Sequence, residues 1–113
     1  MMGPGQLSEP MLVVFCTFPD LEKAREVGGA LVAKKLAACV SLLPGVESIY
    51  AWDGGIQNDS EVLAIFKLAG EVFEAFEQAL KKLHPYDVPE IVAMEPSQIS
   101  VEYLKWVGES CGR

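Results

Sequence analysis

The chain has 113 residues, half of them hydrophobic and 22% charged, with a formal net charge of −7. That is one domain's worth of polypeptide with enough apolar material for a core, and its composition argues against disorder. Nine Lys plus Arg against sixteen Asp plus Glu give no basic footprint for a nucleic acid and disfavour an anionic membrane surface, but leave soluble cations and small molecules open.

Residues 1–10, rich in Gly and Pro, read as a flexible tail ahead of a single domain over 11–113. The start has no basic flank and no apolar h-region, so it does not read as a signal peptide. No apolar run approaches the roughly 20 residues of a membrane span. The expected location is the cytoplasm.

The apolar run at 11–17 predicts a strand that ends at Pro19-Asp20, where a helix opens. Thr17 and Asp20 have capping-box spacing, or Asp20 is itself the N-cap. The helix is expected to run to about Lys35, with Ala24, Val27, Gly28 and Leu31 on one face. Gly28 and Gly29 each cost it about 1 kcal/mol relative to Ala, which close helix-to-sheet approach would justify. Strands are expected over 38–43 and 46–52, with Pro44-Gly45 as a hairpin turn between them. Asp53-Gly54-Gly55 turns the chain again, the polar 57–59 follow, and 61–68 predicts another strand. Over 71–83 the period becomes helical: Val72, Phe73, Phe76, Leu80 and Leu83 form one stripe, with Glu77 and Lys81 an i,i+4 pair. His84-Pro85 stops that helix. A short strand over 90–94 and a last helix near 98–108 complete the chain. The order is an α+β, ferredoxin-like β-α-β-β-α-β pattern with an extended hairpin and an added C-terminal helix.

In such a fold both main helices cover one face of an antiparallel sheet, and the other face should alternate to polar. Here 12–16, 62–66 and 91–94 are apolar at both parities. A large apolar surface marks an interaction site, and another subunit is the expected cover. Closed symmetry allows a dimer or a trimer.

Few residues announce chemistry. The three cysteines, Cys16, Cys39 and Cys111, are odd in number and form no C-x-x-C pair, so they read as free thiols in a reducing compartment. Cys16 ends the first strand, where a thiolate could meet a soft metal, or it is simply a buried core cysteine. Cys39 reads as structural and Cys111 as an unconstrained surface thiol. His84, the single histidine, sits in a loop near Tyr86, Asp87 and Glu90. Cys16, His84 and Glu90 would make three ligands of mixed softness, which suits an open or subunit-shared site better than a structural zinc site. Trp52 is either an interface anchor or a ligand-stacking ring. Lys67, inside an apolar strand, snorkels, pairs with an acid or binds an anion. No nucleophile, base and oxyanion set can be assembled, and no Walker A, G-x-G-x-x-G or H-E-x-x-H motif is present, so no enzyme is expected.

Ordered stretches along nearly the whole chain resemble the CutA family of divalent-cation tolerance proteins. They are Thr17-x-Pro19-Asp20, the segment 35–40, Leu43-Pro44-Gly45, Ser48-Ile49-Tyr50-x-Trp52-x-Gly54, the segment 61–67, His84-Pro85-Tyr86-x-x-Pro89-Glu90 and Tyr103-Leu104-x-Trp106. The resemblance implies a ferredoxin-like subunit of a cytosolic homotrimer, joined through the extended hairpin, that acts in tolerance to copper and other divalent metals. It implies metal binding, by copper or zinc, at Cys16 and His84 with Glu90 a neighbour. Some members carry a second histidine before the His-Pro-Tyr motif; Leu83 stands there in this chain, so that ligand is missing. The family's trimer also resembles PII signalling proteins, which implies an alternative role: a small-molecule effector bound between subunits and lined by Trp52, Lys67, Tyr86 and Glu90.

Overall fold

A computed structural model describes residues 10–112. Its elements run β1 (Met11–Phe18), α1 (Leu21–Ala33), β2 (Cys39–Trp52), β3 (Gly55–Ala69), a 3-10 turn (Gly70–Val72), α2 (Phe73–Leu83), β4 (Val92–Met94) and α3 (Val101–Ser110). The expected tail, apart from Pro10, lies outside the described residues.

The four strands form one antiparallel sheet in the order β2-β3-β1-β4. Each of α1 and α2 therefore links two strands that run parallel with a third strand between them. Alternation in β1 and β3 sends Val14, Cys16, Phe18, Val62, Ala64, Phe66 and Leu68 to the helix side, where all are buried. Phe76 and Leu80 of α2 and Ala24, Val27 and Leu31 of α1 complete this core. Removing so much apolar surface from water is the main drive for the layer to form.

Local signals set the boundaries. Asp20 is the N-cap of α1, accepting the Lys23 N–H at 2.8 Å, so the capping-box alternative gives way to the simple cap. Ser100 caps α3 in the same manner through the Tyr103 N–H. A Cβ on Gly28 would stand 3.1 Å from Val40 Cγ1, whereas one on Gly29 would meet nothing within 4 Å. Close approach thus explains Gly28 alone. The expected Glu77–Lys81 pair is present at 3.1 Å.

The hairpin corrects the sequence reading. Pro44-Gly45 is not a turn: β2 continues through it, with the register slipping between Leu43 and Val46. An inserted bulge bends a strand without ending it. The chain reverses instead at Asp53-Gly54, both at positive φ (53° and 79°), between the paired Trp52 and Gly55. That is the backbone a two-residue primed turn demands, and Asp-Gly is among its preferred sequences. The polar 57–59, which the sequence reading assigned to no element, are strand residues paired with β2. A long two-stranded arm results, and the molecule measures 50 × 26 × 22 Å.

The second face of the sheet carries Val13, Phe15, Leu63, Ile65, Val92 and Met94 by strand register. The last helix, α3, packs against β3 and β1 at one end, burying Val107 and setting Tyr103 beside Cys39, with hydroxyl and thiol 3.7 Å apart. Cys111 follows it. Expected as a surface thiol, Cys111 is buried, and its Sγ accepts the Ala69 N–H at 3.5 Å. The helix runs two residues further than the sequence pattern suggests and carries the thiol to the end of β3.

Candidate functional site

Two of the residues singled out in the sequence, Cys16 and His84, meet at the end of β1 where the chain leaves for α1. Cys16 lies on the helix side between Val14 and Phe18 and has no exposed surface. Burial pushes its thiol up to about 12, helped by the charges of Glu90 and Glu61 and opposed by a backbone hydrogen bond with Thr17. A thiol of that kind keeps its proton at neutral pH, and the thiolate is the form that binds metal.

His84 caps the end of α2 in extended backbone. Its ring stacks on Phe18 with centroids 4.6 Å apart. Nδ1 accepts the Tyr86 N–H at 3.0 Å, which leaves the proton on Nε2, and Nε2–H donates to the Thr17 carbonyl at 2.8 Å. Burial lowers the pKa of this imidazole, against weaker opposing effects of the Thr17 bond and Glu61. The neutral ring is a clamp between α2 and β1, and both nitrogens are occupied.

Tyr86 extends the clamp to the hairpin, its hydroxyl donating to Glu61 Oε2 at 2.6 Å. On β2, Tyr50 donates to the Asp59 carboxylate of the neighbouring strand. Tyr50 and Trp52 share one side of β2, two residues apart, and Trp52 stands opposite Gly55, which has no side chain to crowd the indole. Between this arm and the 86–88 loop lies a cleft of about 470 Å³, lined by Tyr50, Trp52, Tyr86, Asp87 and Val88.

Only some of the expected partners meet. Cys16 and His84 share the β1 end with Glu61, and Glu90 is near enough to act on Cys16 by charge. Glu90 itself is exposed. Among the described residues no group of three or more His, Cys, Asp or Glu converges as a metal ion would require. Of the four residues expected around an effector, Trp52 and Tyr86 do line one cleft. Lys67 is elsewhere, donating to Ser41 Oγ at 3.1 Å, and Glu90 is not in the cleft wall. Sequence reasoning gave no role to Tyr50, Asp59 or Glu61, and placed Asp87 only as a neighbour of His84. The signal for Tyr50 was present: it alternates with Trp52 before a primed-turn dipeptide.

Among the described residues, a mixed α+β fold with one four-stranded antiparallel sheet, three helices and a long hairpin arm defines a class of small proteins. The chain belongs to the CutA1 divalent ion tolerance protein family, whose model matches residues 12–110. It is 44% identical over 100 residues to the divalent-cation tolerance protein CutA of Thermus thermophilus, covering 88% of this chain and 97% of that protein. It is 39% identical over 101 residues to the chloroplastic protein CutA 1 of Oryza sativa, covering 89% of this chain and 57% of the relative. The chain thus spans somewhat over half of that plant protein. The solved structure of the Thermus thermophilus protein superimposes with a TM-score of 0.85 at 43% identity, covering 88% of this chain and 97% of that one. The rice structure gives 0.87 at 39% identity, covering 89% and 93%.

Proposed function

We propose that this chain acts in divalent-cation tolerance as the ferredoxin-like subunit of a cytosolic homotrimer, binding metal ions and catalysing no reaction. Support for the tolerance role comes from the names of relatives that share nearly its whole length. Support for the assembly comes from one observation. The sheet face away from α1 and α2 is left apolar, with Val92 and Met94 49% and 42% exposed, while the arm carries Ile49 and Ile56 into solvent on the side opposite Trp52. A soluble chain does not leave such a surface uncovered without a partner. Sedimentation equilibrium should return three times the chain mass, and Ile65→Glu, which puts a charge on that face, should return the monomer. A monomeric parent protein overturns the assembly.

The metal reading rests on Cys16, His84 and Glu90: Glu90 acts on Cys16 by charge, and His84 holds the carbonyl of Thr17, next to Cys16 in sequence. As folded, they do not fit an ion. A bound ion would have to take His84 off its backbone partners and strip the proton from Cys16. Copper or zinc binding through this set is therefore expected to be weak and to strengthen as pH rises. Calorimetric titration with zinc at pH 6 and pH 8, thiols reduced, tests it. Equal binding by Cys16→Ser/His84→Ala removes these residues from the site.

A second reading, a small-molecule effector, is favoured by the one cleft that Trp52 and Tyr86 share. Its volume lies within the roughly 300–1,000 Å³ usual for small-ligand sites.

A further inference from the structure

We propose that the cleft between the hairpin arm and the 86–88 loop binds a small organic ammonium ion, held against the faces of Tyr50, Trp52 and Tyr86 with Asp87 as its counter-charge. The proposal rests on the effector reading and supplies the chemistry of the ligand.

Three features decide that chemistry. The lining consists of two phenols, an indole, one carboxylate and one aliphatic residue, with no Lys, Arg or His among them. An anion would find no counter-charge there. Lys67, the cation the sequence offered for an anionic effector, is tied to Ser41 away from the cleft. A hard metal ion is equally ill served, since calcium takes six to eight oxygen ligands and this wall presents a single carboxylate. Aromatic faces are what remain, and they attract a cation through their quadrupoles.

The rings are also prepared for a cation. Both phenol hydroxyls are spent on carboxylates, Tyr50 on Asp59 and Tyr86 on Glu61. Donating a proton towards an anion makes a phenol ring more electron-rich, and it leaves a second tier of negative charge behind the rings. The same bonds hold the ring planes. Tyr86 is further fixed by its backbone bond to His84, with the two rings 4.8 Å apart. Trp52, 67% exposed, forms the open wall through which a ligand enters.

The test uses the full-length protein in its assembled state. Trp106→Phe leaves Trp52 as the sole indole, and its emission is followed against tetramethylammonium chloride, with sodium chloride holding ionic strength constant. tert-Butanol, uncharged and of similar size, and sodium phosphate are the controls. Tetramethylammonium should saturate the Trp52 signal, tert-butanol should bind about tenfold more weakly and phosphate not at all. Calorimetry should show binding about fivefold weaker in Asp87→Asn and lost in Trp52→Leu, both with unchanged sedimentation. Equal binding of tert-butanol makes the cleft merely apolar and overturns the proposal, as do phosphate saturation, an unaffected Asp87→Asn or no saturation by any probe. Zinc titration of Asp87→Asn reads the metal proposal separately, because Asp87 is not among its ligands.

Discussion

The Nε2–H of His84 meets the Thr17 carbonyl at 2.8 Å while Nδ1 receives the Tyr86 N–H, so one neutral imidazole joins the end of α2 to the end of β1. Removing it strands a carbonyl and an amide, both part-buried. Each unsatisfied partner costs about 1–3 kcal/mol when fully buried, and water relieves part of that here, so His84→Ala should lose about 2–4 kcal/mol in urea unfolding.

The same bond sets a pH dependence. Burial lowers the folded pKa of His84 below its ordinary 6.5, so the unfolded chain takes up the proton first. This contribution to stability is complete above pH 6.5 and declines as pH falls from there to the lower folded value. Unfolding free energy measured at pH 7.5 and pH 5 should drop more in the parent than in His84→Gln. Equal slopes would mean that the ring is not held neutral.

Cys16 offers a direct chemical check. With no exposed surface and a thiol pushed to about 12, it should resist iodoacetamide at pH 8. Cys111, buried against the Ala69 amide, should resist as well. Both should react after unfolding in guanidinium, with labelling read by peptide mass spectrometry. Native labelling of Cys16 at the rate of a free thiol would falsify the closed site described for it.

Paired glycine substitutions separate helix propensity from packing. Gly29→Ala places a methyl in open space on α1 and should stabilise the chain by about 0.5–1 kcal/mol. In Gly28→Ala the same gain meets Val40 Cγ1 at 3.1 Å. Its net effect should fall at least about 1 kcal/mol below that of Gly29→Ala. Thermal melts of the two proteins decide it.

How far the sequence could be read depended on the range of the interaction. Elements driven by periodicity or a cap were legible: the α2 stripe of Phe76 and Leu80, Asp20 as a cap, the apolar β1. Pro44-Gly45 misled because a turn dipeptide and a bulge look alike in one dimension, and only pairing with 61–63 across the sheet tells them apart. Gln57-Asn58-Asp59 gave no strand signal, since the projecting arm of the single chain has no buried face there to pattern it. At the site, Cys16 and His84 were visible as residue types, but their closure was not. Whether a thiol faces the core and where an imidazole spends its nitrogens depend on contacts 67 residues apart, as between His84 and Thr17. Cys111 was misjudged for the same reason, its partner Ala69 lying 42 residues back.

Tyr86 links this clamp to the arm, and its contribution has the opposite pH sense. Its hydroxyl donates to Glu61 at 2.6 Å, and its pKa is raised by burial first and then by that carboxylate. A phenol raised above its unfolded value of 10 contributes stability that is fully present below pH 10 and lost as pH climbs towards the folded value. Tyr86→Phe keeps the ring but leaves Glu61 without its donor. The site is only half-buried, so water replaces part of the bond and the cost should be about 1 kcal/mol at pH 7. In alkaline titration followed by phenolate absorbance, the folded parent should ionise at higher pH than the urea-unfolded chain. Tyr86→Phe should remove amplitude from the high-pH end of that curve. Loss from the low-pH end instead would show that Glu61 does not hold this phenol in the folded chain.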